Sequence, residues 1–445
     1  MANVPILSPE QAWERIAAAL APLAAEPVAR RAAAGRVLAA ALTATVDVPA
    51  ADVSAMDGYA LAGEVVPGER RPVAGTVAAG DPPGLRLPAG HALRIMTGAP
   101  LPLGADRVVP VEATRPAPRP PSSQAAAPPG MAGLGDDRGA TPPLDGSTAA
   151  GPGFALDEVE LLAAAGSGDH IRRRGEVQRA GQVLLPAGSL LTPGALALVA
   201  THGHAEVQVH RAPAVAVLAT GDEVVPPEQE PGPGQLRDSH TDFLLAAGAA
   251  LGLRFTSLGI APDRPDALAA RVAAGLAAGD VLLICGGVSM GEFDLVEGVL
   301  ERLGCSRRFD AVAIQPGKPL VFATHPAGCV FGLPGNPASV MVDFWLFVCP
   351  ALARLAGRQA TWWPAVPATL AAPLPGAPAR DRFLPAEVAW GAAPDGGPPA
   401  RPLPPKGSHD LAAYAHGTAL VRVRAGAPAA PAGARCEVLP LPPPL

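Results

Sequence analysis

The chain has 445 residues, of which 49% are hydrophobic, so it is long enough for about three domains with sizeable cores. A formal net charge of −6 and an aromatic content of 4% argue against general nucleic-acid binding, which needs basic surfaces and stacking platforms. Five scattered cysteines without a CxxC pair favour a reducing compartment over a disulfide framework. The N-terminus lacks the features of a signal peptide, and the most apolar late segment, Val340–Val348, meets Pro350 and is too short to span a bilayer. We therefore expect a cytoplasmic protein that binds neither nucleic acid nor membrane.

The N-terminal region begins with a helical pattern. Ser8 and Pro9 match the residues preferred at an N-cap and at the first helical position. Ile16 and Leu20 then fall on one face of a helical region that we place over Ser8–Ala41.

After this region the composition changes twice. Between residues 48 and 112, short apolar runs broken by Gly and Pro predict a β-rich domain. Residues 113–157 are dense in Pro, Ala, Gly and Ser and cannot bury enough surface to offset their ordering entropy. We interpret them as a disordered insertion, with a functional lid as the alternative. From residue 158 to 211 short strands return, followed by a helix that begins at Pro193 and ends before Gly203.

The rest of the chain predicts two further domains. Strands and helices alternate from residue 212 to 356, and this rhythm is typical of a doubly wound parallel sheet. From residue 357 to 445, short strands punctuated by proline predict a small β-barrel or sandwich.

The segment VLLICGGVSMGEFDL, residues 281–295, is the most informative part of the alternating region. Its first five residues predict a buried strand, and the glycines after it open a strand-to-helix turn whose backbone N–H groups can hold a phosphate. The residues that we assign to this binding turn are Gly286, Gly287, Ser289 and Gly291. Asp294 follows them, and a carboxylate beside a phosphate repels it unless a divalent cation lies between them. The turn therefore predicts Mg²⁺-assisted chemistry on a phosphate-bearing ligand.

Two neighbouring strands repeat the acidic ending. Asp222 and Glu223 follow the strand that begins near Pro213, and Asp263 lies just past the next one. The alternative for each is an ordinary helix cap or strand-to-helix loop. Downstream, Lys318 lies in a turn braced by proline and glycine, IQPGKPLVF.

Nine motifs together indicate a family, and they occur in this order: SAMDGYA (54–60), RIMTGAP (94–100), IRRRGE (171–176), ATGDEVV (219–225), LRDS (236–239), GGVSMGEFD (286–294), PGKP (316–319), GLPGNPAS (332–339) and KGSHDL (406–411). In these motifs the chain resembles the molybdopterin molybdenumtransferases, which are the MoeA proteins of bacteria and the E domain of gephyrin. The resemblance implies an α/β multidomain protein with a MoaB/MogA-like parallel-sheet domain. We assign the parts as a split N-terminal domain (1–47 and 158–211), a β-rich domain (48–112) with its insertion (113–157), the α/β domain (212–356) and a C-terminal β-barrel (357–445).

The resemblance also implies an activity, namely insertion of molybdenum from molybdate into adenylylated molybdopterin, with Mg²⁺ and with release of AMP. Carried onto this sequence, the family's catalytic positions are Asp57, Thr97, Glu223, Asp263, Asp294, Lys318 and Ser408. Its metal ligands correspond to Glu223, Asp263 and Asp294, and its cofactor-binding turns add Pro334, Gly335 and Pro337. The resemblance further implies a homodimer whose active site combines the sheet domain of one subunit with the β-rich domain of its partner. The candidate protein partners are the molybdopterin adenylyltransferase and client molybdoenzymes.

The chain departs from the family pattern at several positions. Ala311 and Gln315 stand ahead of PGKP, where family members often carry basic residues, and His240 stands where asparagine is common. Two other functions therefore stay open. One is molybdopterin adenylylation, which related single-domain proteins perform with a similar glycine turn, and which the additional domains disfavour. The other is a non-catalytic scaffold that binds or delivers the cofactor.

Overall fold

A computed structural model describes residues 6–117, 158–287, 295–360, 362–377, 379–391 and 397–442. The chain divides into two compact units. One comprises residues 1–41, 186–200 and 204–445, and the other comprises residues 42–185 and 201–203. All five cysteines are free, in agreement with the sequence prediction.

The first unit begins with the helix Pro9–Ala19, which is capped as the sequence predicts. The Ser8 hydroxyl accepts from the backbone N–H of Gln11 at 3.2 Å, and the Gln11 side chain accepts from the backbone N–H of Ser8 at 3.0 Å. The expected helical region is nevertheless too long, because the chain leaves the helix at Leu20. Proline at position 22 disfavours helical backbone at the preceding residue, and Ala25–Ala29 is a strand that pairs with Glu206–His210.

The centre of this unit is a six-stranded sheet. In spatial order its strands are Phe255–Ala261, Val215–Thr220, Val281–Cys285, Gly328–Leu333, Val321–His325 and Ser306–Phe309. The first four pair in parallel, and the last two pairings are antiparallel. The doubly wound α/β domain is thus confirmed, with an antiparallel edge.

Helices cover both faces of this sheet. Successive residues of a strand point to opposite faces, so Leu283 packs in one core and Ile284 in the other. Four helices lie on these faces, two on each: His240–Ala250 and Pro337–Leu355 on one, Pro265–Ala278 and Leu295–Arg302 on the other.

The helix Pro337–Leu355 corrects the expectation that Pro350 ends its apolar segment. Residues Phe344–Val348 form a π-helical turn in which the backbone N–H of Cys349 bonds to the carbonyl of Phe344. This wider turn accommodates the proline ring, which would clash with a carbonyl of a regular α-helix. With 19 residues it is the one helix of the described chain that is long and apolar enough to cross a membrane, but 89% of its most apolar 18-residue stretch is buried inside the protein. It is therefore the core helix of the unit.

A closed β-barrel forms the C-terminal part of the unit, as the sequence predicts. Its strands are Val366–Leu370, Asp381–Val388, Pro399–Pro402, Ala419–Val423 and Arg435–Pro440, and a short helix, Leu411–Ala415, precedes the fourth of them. The second and fourth strands pair and thereby close the barrel. The short strand Ile314–Gln315 extends the barrel sheet by pairing in parallel with Asp381–Arg382.

The second unit is built on another six-stranded sheet. Its strands, in spatial order, are Arg107–Pro110, Gly58–Leu61, Ala92–Ile95, Arg70–Val77, Glu158–Leu161 and Thr114–Ala117. The last two change the expected boundaries. Because Glu158–Leu161 pairs with both Arg70–Val77 and Thr114–Ala117, residue 158 belongs to the β-rich domain and the insertion starts after Ala117. The rest of that insertion, residues 118–157, lies outside the described chain.

The remaining elements are short. The helix Pro193–Thr201 follows the sequence prediction, since the Thr192 hydroxyl accepts from the backbone N–H of Ala195 at 3.2 Å. The other strands pair in twos: Leu42–Thr43 with Val183–Leu185, Val53–Ser54 with Ile171–Arg172, and Val224–Val225 with Leu236–Arg237.

Candidate active site

The parallel sheet reverses its strand order beside the strand Val215–Thr220. From this strand the chain passes through a helix to Phe255–Ala261 on one side, and then crosses back to Val281–Cys285 on the other. Open α/β sheets bind ligands at such a switch point, beyond the carboxyl ends of the strands. The turns that follow these three strands, which we call the switch-point turns, begin at Gly221, Pro262 and Gly286.

The glycines at this switch point cannot be replaced without a clash. Gly286 and Gly287 have φ values of 96° and 66°, which favour glycine. A Cβ atom on Gly286 would lie 2.8 Å from the carbonyl oxygen of Thr220, and one on Gly287 would lie 2.9 Å from Val296. The turn therefore presents bare backbone that a ligand phosphate can approach. Three predicted members of this turn lie outside the described residues: Ser289, Gly291 and Asp294.

Two adjacent strand ends are joined through their carboxylates. The backbone N–H of Asp263 donates to Asp222 Oδ1 at 3.1 Å, and that of Asp222 donates to Asp263 Oδ2 at 3.4 Å. Glu223 is exposed, and its carboxyl group lies over Gly221, where a Cβ atom would come within 2.6 Å of Glu223 Oε2. Predicted site residues Glu223 and Asp263 thus occupy neighbouring switch-point turns. Their oxygen atoms are the type of ligand that Mg²⁺ prefers.

A complete metal site is not found within the described part of the chain, where no three His, Cys, Asp or Glu side chains form a group able to hold a metal ion. The third predicted ligand, Asp294, lies outside that part. The set Glu223, Asp263 and Asp294 therefore stays a prediction.

His240 begins the helix that follows the first of these turns. Its backbone N–H, and that of Thr241, donate to the buried Asp238 carboxylate at 3.0 and 3.1 Å. The His240 Nε2 atom is buried without a hydrogen-bond partner in the described chain, and burial lowers the pKa of this ring. A neutral ring at the start of a helix does not supply the positive charge that Ala311 and Gln315 lack ahead of PGKP.

A second concave region lies beside the barrel, and we call it the cation pocket. It has a volume of about 420 Å³, and its polar lining residues include Lys318, Arg380, Arg382, Lys406, Ser339, Ser408 and Asn336. None of the described residues that line it is acidic. The two lysines are the only lysines in the whole chain, although Lys and Arg together number 34. A chain that otherwise uses arginine for positive charge thus has both of its lysines among the residues that line one cavity.

Separate chain segments meet at this pocket through specific backbone contacts. Gln315 pairs with Arg382, so the barrel strand brings this arginine next to the PGKP turn. The backbone N–H of Ala338 donates to the Ser408 carbonyl at 3.2 Å, which holds the KGSHDL loop at the start of the core helix. Within that loop, the backbone N–H of Lys406 donates to the carboxylate of Asp410 at 3.0 Å, and this bond lowers the pKa of Asp410.

The electrostatics of the pocket favour an anion. Four cationic side chains line it, and Arg382 Nε is buried without a hydrogen-bond partner in the described structure. Asn336 and Ser339 come from the N-terminal turn of the core helix, the end at which backbone dipoles attract negative charge. A bound anion would therefore accept a hydrogen bond from Arg382 Nε, and it would offset the excess of positive charge.

The sequence motifs identified part of this pocket. Lys318 and Ser408 were predicted, and Asn336, Ser339 and Lys406 lie inside the quoted motifs without having been singled out. No sequence signal points to Arg380 and Arg382, which reach the pocket only through the strand pairing of the barrel. The neutral residue Gln315 also lines the pocket, so the positive charge there comes from other segments. Ala311 is buried, and its carbonyl accepts from the backbone N–H of Leu7 at 3.3 Å.

One turn connects the cation pocket with the switch-point turns. In the motif GLPGNP, a Cβ atom on Gly335 would lie 4.0 Å from the Cα atom of Gly286, while the next residue, Asn336, lines the pocket. Pro334 and Pro337 restrict the backbone on either side of this turn, and Pro337 is the first residue of the core helix. The two regions are thus neighbours that share a rigid turn.

The remaining predicted residues lie in the β-rich unit. The backbone N–H and the hydroxyl of Thr97 both donate to Asp57 Oδ1, at 2.7 and 3.0 Å. The backbone bond, followed by the hydroxyl bond, lowers the pKa of the Asp57 carboxyl. Met56 and Met96, which precede these two residues, are exposed. The motifs SAMDGYA and RIMTGAP therefore place a hydrogen-bonded, ionised carboxylate among apolar side chains on the surface of this unit.

Comparisons with known proteins agree with this architecture. Three consecutive family models match the chain: the MoeA N-terminal region (domains I and II) over residues 7–203, a probable molybdopterin binding domain over 216–354, and the MoeA C-terminal region (domain IV) over 367–441. A molybdopterin molybdenumtransferase from Nostoc sp. is 35% identical over 295 residues, which are 66% of this chain and 59% of the relative. One from Synechococcus elongatus is 36% identical over 305 residues, which are 66% of each chain. The matched region thus spans roughly three-fifths to two-thirds of these relatives.

Solved structures agree over a longer range. A molybdopterin biosynthesis MoeA protein from Pyrococcus horikoshii superposes with a TM-score of 0.75 and 29% identity, and covers 98% of both chains. A second structure of a MoeA protein from this organism has a TM-score of 0.73 at 22% identity. The three matching models follow one another along nearly the whole chain, in the order that the motifs predicted. The chain therefore belongs to the MoeA family.

Proposed function

We propose that the protein is a molybdopterin molybdenumtransferase of molybdenum cofactor biosynthesis. It transfers molybdenum from molybdate to adenylylated molybdopterin and releases AMP. The observation that carries this proposal is the shared turn, since Gly335 lies next to Gly286 of the switch-point turns while Asn336 lines the cation pocket. A phosphate-bearing pterin nucleotide at the first region would then lie beside a small oxyanion at the second.

Molybdate occupies the cation pocket in this proposal. A tetrahedral dianion fits a cavity of about 420 Å³ with room for part of the pterin substrate, and four cations offset its charge. Lys318 and Lys406 supply compact, mobile charges, whereas Arg382 supplies planar donors. Ser339 and Ser408 supply hydroxyl groups that can donate to oxyanion oxygens.

The switch-point turns hold the nucleotide phosphates in this proposal. Gly287 is exposed and adds no side chain that would hinder a phosphate, whereas the backbone N–H of Gly286 already donates to the carbonyl of Leu333 at 3.0 Å. Mg²⁺ held by Glu223, Asp263 and Asp294 would supply positive charge between this phosphate and the nearby carboxylates. Bringing two anions together is mainly a problem of charge and position, and preorganised cations and donors address both.

Turnover separates this proposal from its two alternatives. Purified protein is mixed with adenylylated molybdopterin, molybdate and Mg²⁺, and both AMP release and molybdenum incorporation are measured. We expect AMP release that depends on molybdate. Pyrophosphate release from molybdopterin and ATP would instead indicate an adenylyltransferase, and binding of the pterin nucleotide without AMP release would indicate a scaffold.

The two lysines allow a test that needs no pterin substrate. An amine-specific acylating reagent can modify only Lys318, Lys406 and the N-terminal amine, and peptide mass spectrometry distinguishes these sites. Molybdate should slow the modification of both lysines and leave the N-terminal amine unaffected. Chloride at matched ionic strength is the control. Equal labelling of the lysines with and without molybdate would contradict the assignment of the pocket.

We also propose that the active protein is a cytoplasmic homodimer with a composite active site. In this arrangement Asp57 and Thr97 of one subunit act with Glu223 and Asp263 of the other. Mixing Asp57→Ala chains with Glu223→Gln chains should restore activity, because each mixed dimer then contains one intact site. Random pairing predicts about a quarter of the wild-type activity. Mixed dimers that form and remain inactive would exclude a composite site.

Its protein partners, in the same proposal, are the enzyme that supplies adenylylated molybdopterin and the molybdoenzymes that receive the finished cofactor.

A further inference from the structure

A buried carboxyl group lies behind the cation pocket and has no role in the function proposed above. Asp343 is 0% exposed, and neither of its carboxyl oxygens has a hydrogen-bond partner within the described chain. Burial raises the pKa of Asp343 well above its usual value and so favours the protonated form of this group. A buried polar group without a partner is unfavourable for stability, and an apolar residue would suit this core helix better. The stability of the fold therefore does not explain why an aspartate occupies position 343.

The geometry connects Asp343 with the PGKP turn. Asp343 follows Ser339 by four residues on the core helix, so both side chains lie on the same face. Ser339 lines the cation pocket, and Asp343 lies one helical turn deeper. Gly317 of the PGKP turn has φ of 102°, and a Cβ atom built on it would lie 2.2 Å from Asp343 Oδ1. A Cα hydrogen of Gly317 thus points at this oxygen, as in a weak C–H···O contact.

The helix itself changes at this point. Asp343 is the last residue before the π-helical turn Phe344–Val348. Such turns occur frequently at functional sites, where they redirect side chains that a regular helix would place elsewhere. Glycine at position 317 and aspartate at position 343 therefore form a matched pair, in which the short carboxyl group fills the space that a side chain on the turn would take.

We propose that Asp343 is a positioning residue, whose carboxyl group seats Gly317 and thereby fixes where Lys318 lies in the cation pocket. The inference deepens the proposed function, since it rests on the cation pocket as the oxyanion site. It assigns to Asp343 no contact with substrate.

Amine labelling tests the position of Lys318 directly, with Lys406 as an internal control in the same molecule. Without molybdate, Asp343→Ala should change the labelling rate of Lys318 by about threefold or more and leave that of Lys406 unchanged, because amine reactivity follows the local environment. Asp343→Asn, which keeps the size and shape of the side chain, should retain the wild-type ratio of the two rates. An unchanged ratio in the well-folded Asp343→Ala protein would overturn the inference. If thermal melts show that Asp343→Ala does not fold, Asp343→Ser is used in its place.

Steady-state kinetics provide a second readout that a purely structural role would not produce. Asp343→Ala should raise the KM for molybdate about tenfold while kcat at saturating molybdate stays within about threefold, because the variant misplaces a binding group. Asp343→Asn should restore the KM. Equal loss of kcat in both variants, at unchanged KM, would contradict a positioning role. The labelling ratio is measured without molybdate, so it still tests Asp343 if molybdate fails to protect the lysines and the pocket assignment is wrong.

The matched pair can be tested by a double substitution. Gly317→Ala introduces the Cβ atom that would meet Asp343, and also strains the backbone at positive φ. Adding Asp343→Ala removes the clash, so the double variant should have a lower KM for molybdate than Gly317→Ala alone. Gly433→Ala is the control for strain, because φ there is 84° and no atom lies within 4 Å of the added carbon. A double variant worse than either single variant would contradict the pairing.

Discussion

The switch-point turns carry carboxylates at the ends of two adjacent strands, whereas the cation pocket carries four cationic side chains and no acid among its described lining residues. Both regions suit anionic ligands, but they do so differently. The pocket can neutralise an oxyanion directly. The acidic turns can hold a phosphate only with a cation between them, which is Mg²⁺ in the proposed function.

The two regions also differ in how the sequence encodes them. Each switch-point turn is one continuous segment that directly follows a strand of the parallel sheet. The cation pocket is assembled from separate segments around residues 315, 337, 381 and 407, which meet through barrel pairing and the start of the core helix. A continuous segment leaves a motif in the sequence, while an assembled surface does not.

We expect the largest effect from removing a carboxylate from the switch-point turns. Glu223→Gln should lower AMP release about 100-fold or more, which corresponds to about 2.7 kcal/mol of lost transition-state stabilisation. Because Glu223 is exposed, the free energy of unfolding should change by no more than about 0.5 kcal/mol. Glu228→Gln, at an exposed position five residues later, is the matched control and should remain active. Near-normal, Mg²⁺-dependent turnover of Glu223→Gln would remove this residue from the mechanism.

Removing one positive charge from the cation pocket should reduce activity less, because three other cationic side chains remain there. Lys318→Ala should raise the KM for molybdate about tenfold with a smaller change in kcat, as expected for loss of a ground-state contact. Lys318→Arg should restore only part of this loss, since a planar guanidinium does not replace a compact ammonium. Arg424→Ala, an exposed barrel arginine that pairs with Glu437 outside the pocket, is the control. A KM for Lys318→Ala equal to that of the control would argue against molybdate in this pocket.

Local sequence rules predicted much of the fold. Alternating strands and helices gave the parallel sheet, and Ser8 was correctly placed as an N-cap. The errors have specific causes. The N-terminal helix was overextended because proline at position 22 was not weighed as a helix terminator, and Pro350 was overweighted because a π-helical turn accommodates it. The strand Thr114–Ala117 was missed because it is short and its stability comes from pairing with Glu158–Leu161 across a long insertion.

The site residues also divide into those that a local motif reveals and those that only the pairing of distant segments places. Asp57 and Thr97 come together because Asp57 directly precedes the strand Gly58–Leu61 and Thr97 follows its antiparallel neighbour Ala92–Ile95, and their motifs were recognisable. Arg380 and Arg382 have no local signature, since their position follows from the register with Ile314–Gln315. Asp343 was visible only as an acid in an apolar segment, and its relation to Gly317 requires the three-dimensional contact.

We expect a smaller effect on the pH dependence of stability, and it should distinguish the buried carboxyl group of Asp343 from the exposed one of Glu223. The pKa of Asp343 is raised above its unfolded value of 3.8, so the unfolded state binds fewer protons at intermediate pH. Its contribution to stability is therefore greatest below pH 3.8 and is lost as the pH rises toward the folded pKa. The slope from this one group is at most about 1.4 kcal/mol per pH unit. Asp343→Asn should remove this slope in denaturant melts at pH values above 3.8, whereas Glu223→Gln should leave it unchanged. Parallel curves for the wild type and Asp343→Asn would mean that the buried group does not titrate in this way.

The smallest effect should come from shortening the insertion, residues 118–157, which supplies none of the described residues of either region. Ala117 and Glu158 face each other in an antiparallel pair, so the chain ends on either side of residues 118–157 are already adjacent. Replacing these residues with Asn-Gly, a sequence that favours a two-residue hairpin turn, should leave the melting temperature within about 2 °C and AMP release nearly unchanged.

The control removes residues 114–161, which includes two strands of the β-rich sheet and should unfold that unit. The hairpin variant keeps Asp57, Thr97 and every strand that pairs around them. A hairpin variant that melts cooperatively but releases no AMP would show that residues 118–157 take part in the reaction as a lid, which is the alternative that their composition left open.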